Sequence, residues 1–257
     1  VVQWEEYATF RTDIDGSAEF DIPAVDYVAG VPEAGGQGNI RLDITVTEDV
    51  TGYQARTSRL LTAADSPVNL IVIPEGAVFK PGLPFVVLVV TETPDSRPVE
   101  TQVQLEVTYL DEEYGDIKTV RDDVTTKNGL ATFELKPPAD AVALSLTAVV
   151  EGKQVDRVIQ SSYSPSGNFI HVTQVSDDVA QVGETVTFRV HSTSEARNFY
   201  YEVVSRDRIV FSGHTKGDEF SFETTPLMAP SSKLLVYQVL PNSEVAADYL
   251  PFKVAGV

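Results

Sequence analysis

Gly82 and Gly183 each stand three residues ahead of an apolar alternation, Phe85-Val87-Val89 in one case and Val186-Phe188-Val190 in the other. An apolar or small residue, Phe79 or Ala180, precedes each glycine by three. Alternation at period two is the signature of a half-buried β-strand, and glycine before it marks a turn that launches the strand. The same arrangement twice, about 100 residues apart, describes a β-sandwich module that occurs more than once.

A second repeat supports this. Asp15-Gly16-Ser17-Ala18-Glu19-Phe20-Asp21-Ile22 and Asn128-Gly129-Leu130-Ala131-Thr132-Phe133-Glu134-Leu135 share a turn, then Ala, Phe and an aliphatic residue in one register. Asp-Gly and Asn-Gly are the strongest short hairpin signals, so each pair is expected to separate two strands. The first segment has this hairpin and a strand after it, Ile40–Glu48, but no counterpart of the Lys80-Pro81-Gly82 half. It is expected to be the C-terminal part of a module, cut off at Val1.

Further strands are expected at Asn69–Ile73, Phe85–Val90, Thr101–Tyr109, Ala131–Leu135 and Val142–Val150. In the last third they are expected at Phe169–Val172, Val186–Val190, Phe199–Val204, Ile209–Phe211, Phe220–Phe222 and a closing hairpin, Ser232–Val254. No stretch has helical periodicity, and the 15 Pro and 16 Gly punctuate short strands. The fold class is therefore all-β, as tandem antiparallel β-sandwich domains of the fibronectin III-like kind. The expected divisions are 1–66, 67–164 and 165–257. Ser66-Pro67 and Ser164-Pro165 are read as the joints between them.

Composition narrows the function. The net charge of −19, from 38 acidic and 19 basic residues, opposes binding to nucleic acid or anionic lipid. With no cysteine, thiol catalysis, thiolate metal sites and disulfides have no residues to build on. The longest apolar run, Phe85–Val90, is far short of the roughly 20 residues that span a bilayer.

Each residue that suggests chemistry has a plainer alternative. His171, His191 and His214 fall on separate strands or turns without metal-ligand spacing and are expected to be ordinary surface or core histidines. Asp13-x-Asp15-Gly16 looks like the start of a calcium loop but lacks the distal ligands, and is expected to be a hairpin turn. Asp111-Glu112-Glu113, Asp122-Asp123 and Asp177-Asp178 are expected to be solvated loop tips rather than a calcium site. Lys216-Gly217-Asp218 resembles an integrin-type tripeptide but suits a strand-entry turn. Trp4 and Tyr200-Tyr201 are expected to pack in cores rather than form a carbohydrate platform. No catalytic, cofactor-binding or metal-ligating residue is assigned, and no enzymatic activity is expected.

Four stretches together resemble one family. Tyr201-Glu202-Val203-Val204-Ser205-Arg206 with Ile209-Val210, and Met228-Ala229-Pro230 leading to Leu234–Pro241 and Glu244–Asp248, are similar to the fifth macroglobulin domain of the alpha-2-macroglobulin and complement superfamily of thioester-containing proteins. Phe79-Lys80-Pro81-Gly82-Leu83-Pro84-Phe85 resembles the start of the fourth domain, and Val46-Thr47-Glu48 with Thr51-Gly52 the end of the third. Two departures fall at turns: Asp207 replaces a usual Gly, and Asn242-Ser243 stands where an acidic-Gly pair is common.

The resemblance implies part of the third domain, then the fourth and fifth, in an extracellular, secreted or cell-surface protein. It implies a non-catalytic scaffold that serves protease inhibition or innate immunity at the level of the whole protein. The partners would be the other domains of the parent, and possible protease or other protein ligands. The family's Gly-Cys-Gly-Glu-Gln thioester and its bait region are both expected to lie outside this Cys-free segment. The rival reading is a cell-surface adhesion module of immunoglobulin-like sandwiches, against which the incomplete first copy argues. Phe133→Ala is expected to cost about 3–5 kcal/mol if Phe133 is core; an unchanged unfolding midpoint would show the register to be wrong.

Overall fold

The computed structural model describes residues 6, 8–21, 40–61 and 66–256. Among the described residues, eighteen strands follow one another with one short 3-10 turn, Pro226–Met228. Strands β1 (Ile40–Thr47) and β2 (Gln54–Leu61) form an antiparallel pair of their own. The next eight are β3 (Asn69–Pro74), β4 (Val78–Phe79), β5 (Phe85–Glu92), β6 (Gln102–Leu110), β7 (Asp116–Thr125), β8 (Leu130–Leu135), β9 (Ala143–Val150) and β10 (Lys153–Ser161). They make a three-stranded sheet, β3-β5-β8, and a five-stranded one, β4-β10-β9-β6-β7.

The last eight are β11 (Ile170–Gln174), β12 (Val179–Gln181), β13 (Thr185–Ser192), β14 (Phe199–Ser205), β15 (Arg208–Thr215), β16 (Glu219–Glu223), β17 (Ser231–Val239) and β18 (Val245–Ala255). Their sheets, β11-β13-β16 and β12-β18-β17-β14-β15, reproduce the preceding order strand for strand. The repeat read from the glycines extends to individual hydrogen bonds. Gly82 N–H donates to Pro137 O at 3.1 Å and Gly183 N–H to Thr224 O at 3.0 Å, while Leu83 and Glu184 each close a turn onto the residue three before. Both glycines have positive φ, 78° and 89°, which explains why the position is glycine in both copies.

Each sandwich buries the inward side of its alternating strands. In the second unit Phe79, Phe85, Val87, Val89, Val107, Tyr109, Phe133 and Leu146 form one continuous core. In the third, Phe188 sits among Phe220, Phe222 and Phe252 at ring separations of 5.5–5.9 Å, and Tyr201 stacks on Phe220 at 4.1 Å. Burying a side chain of this size is worth about 1.5–3 kcal/mol, so these two clusters carry most of the stability.

Several strands have no clear trace in the sequence. β7 and β10 lie at or near a sheet edge and carry charge on their outer side, so their alternation is not apolar. β2 is exposed along its whole length. β4 and β12 are two and three residues long and pair in parallel with β10 and β18. The β9–β10 hairpin turns at Glu151-Gly152, both at positive φ, rather than at an Asn-Gly or Asp-Gly signal.

The hairpin expected at Asp15-Gly16 is corrected. Phe10 and Phe20 face each other at 5.6 Å, but only an isolated bridge, Asp15 to Ser17, forms there. Residues 8–21 are exposed throughout, and a two-stranded ribbon with nothing to bury is marginal in water. Ile22 and Trp4 lie outside the described residues. By contrast the Asn128-Gly129 hairpin is complete, with both turn residues at positive φ and Lys127 and Leu130 exchanging two backbone bonds. A Cβ on Gly129 would stand 2.6 Å from Thr91 O, so no other residue fits.

The β14–β15 hairpin turns on Arg206 and Asp207, at φ 49° and 62°, the geometry of a type I′ turn built without glycine. Asp207→Gly should therefore stabilise the third unit by about 0.5–1 kcal/mol, the left-handed strain outweighing the entropy of glycine. Chemical denaturation checks this; a lower midpoint would mean that Asp207 makes a compensating contact.

Candidate functional site

The turn that launches β5 also places a lysine at the boundary with the next unit. Lys80-Pro81-Gly82-Leu83 has Pro second and a positive-φ Gly third, as a type II turn requires. From its first position Lys80 reaches into the third unit. Its Nζ donates to Ile170 O at 2.8 Å and pairs with Asp248 Oδ1 at 2.6 Å. Both side chains are mostly buried, at 22% and 16% exposure.

Asp248 is an acid on β18 in a strand that otherwise alternates Ala, Leu, Phe and Val toward the core. Its second oxygen accepts the Val172 N–H at 2.9 Å and is 3.1 Å from His171 Nδ1. One carboxylate thus ties β18 to β11 and both to the second unit. On the far side of the imidazole, His171 Nε2 is buried without a hydrogen-bond partner and lies 3.9 Å from Oε1 of Glu75, which follows β3.

Secondary contacts complete the joint. Ser162 N–H donates to Phe79 O at 2.7 Å, and Ser164 Oγ to Glu244 Oε1 at 2.7 Å, which ties the linker to both units. A methyl on Gly82 would meet Thr193 Cγ2 of the third unit at 3.5 Å. An open cleft of about 280 Å³ lined by Lys80, Ser162–Pro165 and Glu244–Ala247 runs beside it. It is smaller than usual ligand sites.

The electrostatics follow from burial and pairing. Burial resists ionisation of Asp248, but hydrogen bonds from His171, Lys80 and Val172 and the lysine charge outweigh it and hold the carboxyl below its ordinary range. Glu75 has the opposite balance: burial pushes it up, and the Val86 backbone, His171 and Lys80 only partly offset this. His191, 6.1 Å from the His171 ring and directly opposite it in the β11–β13 register, is lowered by burial and then by His171 and Arg189.

The sequence singles out His171 and His191 only as ordinary histidines, and the structure brings them together at the joint. His214 is elsewhere, 5.0 Å from the Tyr200 ring with Nε2 on Asn198 Oδ1. Tyr201 is core, but Tyr200 faces outward, 38% exposed and stacked on Tyr237, which corrects the expectation that both pack inside. Period two puts neighbouring residues on opposite faces, so the pair cannot share one.

Asp218 of Lys216-Gly217-Asp218 pairs with Arg197 at 2.5 Å, and its carbonyl accepts Val190 N–H. Asp111 Oδ1 accepts the N–H groups of Glu113 and Gly115 in a local turn. Asp122 and Asp123 lie within β7 rather than at a loop tip, and Asp177-Asp178 precede β12 in the other unit. Among the described residues no three acidic or histidine side chains come together as a metal site. Asp13 and Asp15 are exposed.

Lys80, Glu75 and Asp248 carry no mark of function in the sequence. Yet Lys80 and Asp248 fall within Phe79–Phe85 and Glu244–Asp248, two of the stretches that carry the family resemblance.

Comparison with known proteins gives these stretches a context. A family model described as macroglobulin domain MG4 matches residues 76–163, and one described as alpha-2-macroglobulin bait region domain matches 170–256. Complement C3 of Eptatretus burgeri is 28% identical over 186 residues, 66% of this chain and 11% of that protein. Venom factor of Crotalus adamanteus is 24% identical over 233 residues, 82% of this chain and 13% of that protein. The native conformation of E. coli alpha-2-macroglobulin aligns with a TM-score of 0.32 at 10% identity, over 82% of this chain and 16% of that one. The chain thus spans about an eighth of the curated relatives it matches.

The expectation that no bait region lies in this segment is corrected to this extent: the third unit matches a model of that name. Over 170–256 the structure is a sandwich whose longest connection, Thr224–Pro230, contains the 3-10 turn with Met228 buried.

Lys80→Met should destabilise the contact between the units by about 2–5 kcal/mol at pH 7, because it leaves Asp248 buried without its cation. The folded pKa of Asp248 is depressed, so its contribution is present above the unfolded value of about 4 and is lost as pH falls through the folded one. The gap between wild type and Lys80→Met in urea denaturation should accordingly shrink at about pH 3. A gap independent of pH would rule out the ion pair as its source.

Proposed function

Because this chain belongs to the alpha-2-macroglobulin and complement superfamily, we propose that it is a non-catalytic scaffold segment of an extracellular protein, in which two macroglobulin-type units are held at a set angle. The observation that carries this is the joint. Lys80 of the second unit is bonded at once to Asp248 and to the Ile170 carbonyl of the third, with both charges largely removed from water. A free flexible linker would need none of this, since interfaces between domains are by default mobile unless something fastens them.

The three histidines, Asp111 and Asp218 are engaged in bonds within the sandwiches, which supports a mechanical role. At the level of the whole protein that role would serve protease inhibition or innate immunity, with the remaining domains of the parent as the first partners. The acidic surface, at −19 for the chain, keeps such an elongated array soluble.

A Cys-free chain allows the angle to be measured directly. Cysteines placed at the exposed positions Lys118 on β7 and Ser212 on β15 can carry spin labels, one on each unit. Dipolar spectroscopy should give one narrow distance distribution, which Lys80→Met broadens. A broad distribution in the unmodified sequence would sink the scaffold reading.

A further inference from the structure

Each of the two complete units turns one apolar sheet face outward, and the charges on the two faces are opposite in sign. On the second unit it is the three-stranded sheet, where Ile71, Val90 and Leu130 make one row and Ile73 and Leu88 the next. Acids close both ends of these rows: Glu92 opposite Asn69, and Glu134 opposite Val86, the latter 3.8 Å from Lys136. On the third unit it is the five-stranded sheet. There Tyr200 lies against both His214 and Tyr237, Leu235 stands opposite Tyr249, and Val239 opposite Val245. Among the described residues, the charges that β14, β17 and β18 turn outward on this face are Lys233, Lys253 and Glu202, in a chain with 38 acids to 19 bases. The face is thus locally basic on an acidic protein.

We propose that this chain associates with a second copy of itself, head to tail: the aromatic face of the third unit in one copy seats on the apolar face of the second unit in the next. Ile71, Ile73 and Leu130 are 40–48% exposed, and Tyr249 and Val245 64% and 55%, with the two units already joined. The faces therefore do not cover each other within one chain, and their meeting takes two. This association adds to the scaffold reading and does not depend on the angle at the joint.

Charge selects this pairing over the alternatives. Two second-unit faces would set Glu92 and Glu134 against the same acids, and two third-unit faces would set Lys233 and Lys253 against the same lysines. Only the unlike pair brings lysines to acids around an apolar centre, with tyrosines supplying the contact area that aromatic residues bring to interfaces. The net charge of −19 repels at long range. At physiological ionic strength the screening length is about 8 Å, so the charges within the contact decide. Three strands at about 4.8 Å spacing, with the six residues of β3 rising about 3.4 Å each, give the second-unit face roughly 300 Å². That is the size of patch that marks an interaction site, and it suits a transient contact rather than a permanent one. A contact between unlike faces leaves one face of each kind open on every dimer, so it extends into a ring or an open row.

Sedimentation from micromolar to millimolar concentration tests this on the full chain. The unmodified sequence should pass from monomer to dimer and beyond. Ile71→Lys and Tyr249→Glu each place on one face the charge that the other face already carries, and each alone should weaken association about tenfold or more. Both positions are exposed, so unfolding midpoints should not move. An equal mixture of the two variants should recover dimers that grow no further, because the intact third-unit face of the first variant meets the intact second-unit face of the other. Because the sequence has no cysteine, a second measurement is open: Ile71→Cys and Tyr249→Cys chains should be joined by a bifunctional maleimide when mixed, but not when either is alone. A chain that stays monomeric throughout, or a mixture that recovers no dimer, would overturn the proposal. So would association lost in Tyr249→Glu but kept in Ile71→Lys, which would mean a third-unit face on its own likeness. Association that survives both substitutions would place the contact elsewhere, as on Ile44 and Val46 of the exposed β1–β2 pair, and would overturn it too.

Discussion

The Asp248 carboxylate is the point on which the relation between the two complete units turns. Edge strands of a sandwich carry backbone donors that need partners, and β11 is such an edge. Asp248 satisfies the β11 donor at Val172 with one oxygen, orients His171 with the same oxygen, and gives the other to Lys80 of the preceding unit. Removing a carboxylate from water is costly, and here the cost is offset by three partners, Val172 N–H, His171 and the Lys80 cation. Because those donors come from two sandwiches, neither unit satisfies it alone.

The duplication gives an internal comparison of how one backbone plan is put to two uses. The outer face of the smaller sheet is apolar in the second unit, where Ile71, Val90 and Leu130 form one cross-strand row and Ile73 and Leu88 the next. In the third unit the equivalent face is polar, with Thr187 bonded to Ser221 and Arg189 to Glu219. The larger sheet is reversed: Arg121, Glu106, Thr147 and Asp156 cross the second unit, and His214, Tyr200 and Tyr237 cross the third. The inward sets stay mainly apolar in both, since each must fill a closed core, with Asp248, Ser232 and Gln238 of the third unit as polar exceptions. The outward ones are free to diverge, and one of them, with His171 and His191, became part of the joint.

What the chain's text reveals follows the same division. Turns that demand a left-handed residue are legible where glycine supplies it, as at Gly82, Gly129 and Gly183, and less so where Arg206-Asp207 or Ser243 holds the same φ. Strands with an apolar inward set, such as β5, β13 and β17, stand out. β7, β10 and β2 do not, because an edge or uncovered strand is selected for charge and solubility as much as for packing. The first segment shows the limit from the other side: a hairpin signal at Asp15-Gly16 yields only a bridge, since a turn needs a surface to bury before it nucleates a ladder.

By itself the sequence determined that the chain is all-β, that a unit of about 100 residues recurs, and that its wording is that of macroglobulin domains. Those properties depend on residues near one another in the chain, through period two and turn chemistry. Only the tertiary structure decided that Lys80, Asp248, His171 and Glu75 meet, since the joint draws on positions up to 173 residues apart, from Glu75 to Asp248. A lone lysine in a turn and a lone aspartate in a strand carry no pattern of their own. Their meaning lies in the burial and proximity that two packed sandwiches create.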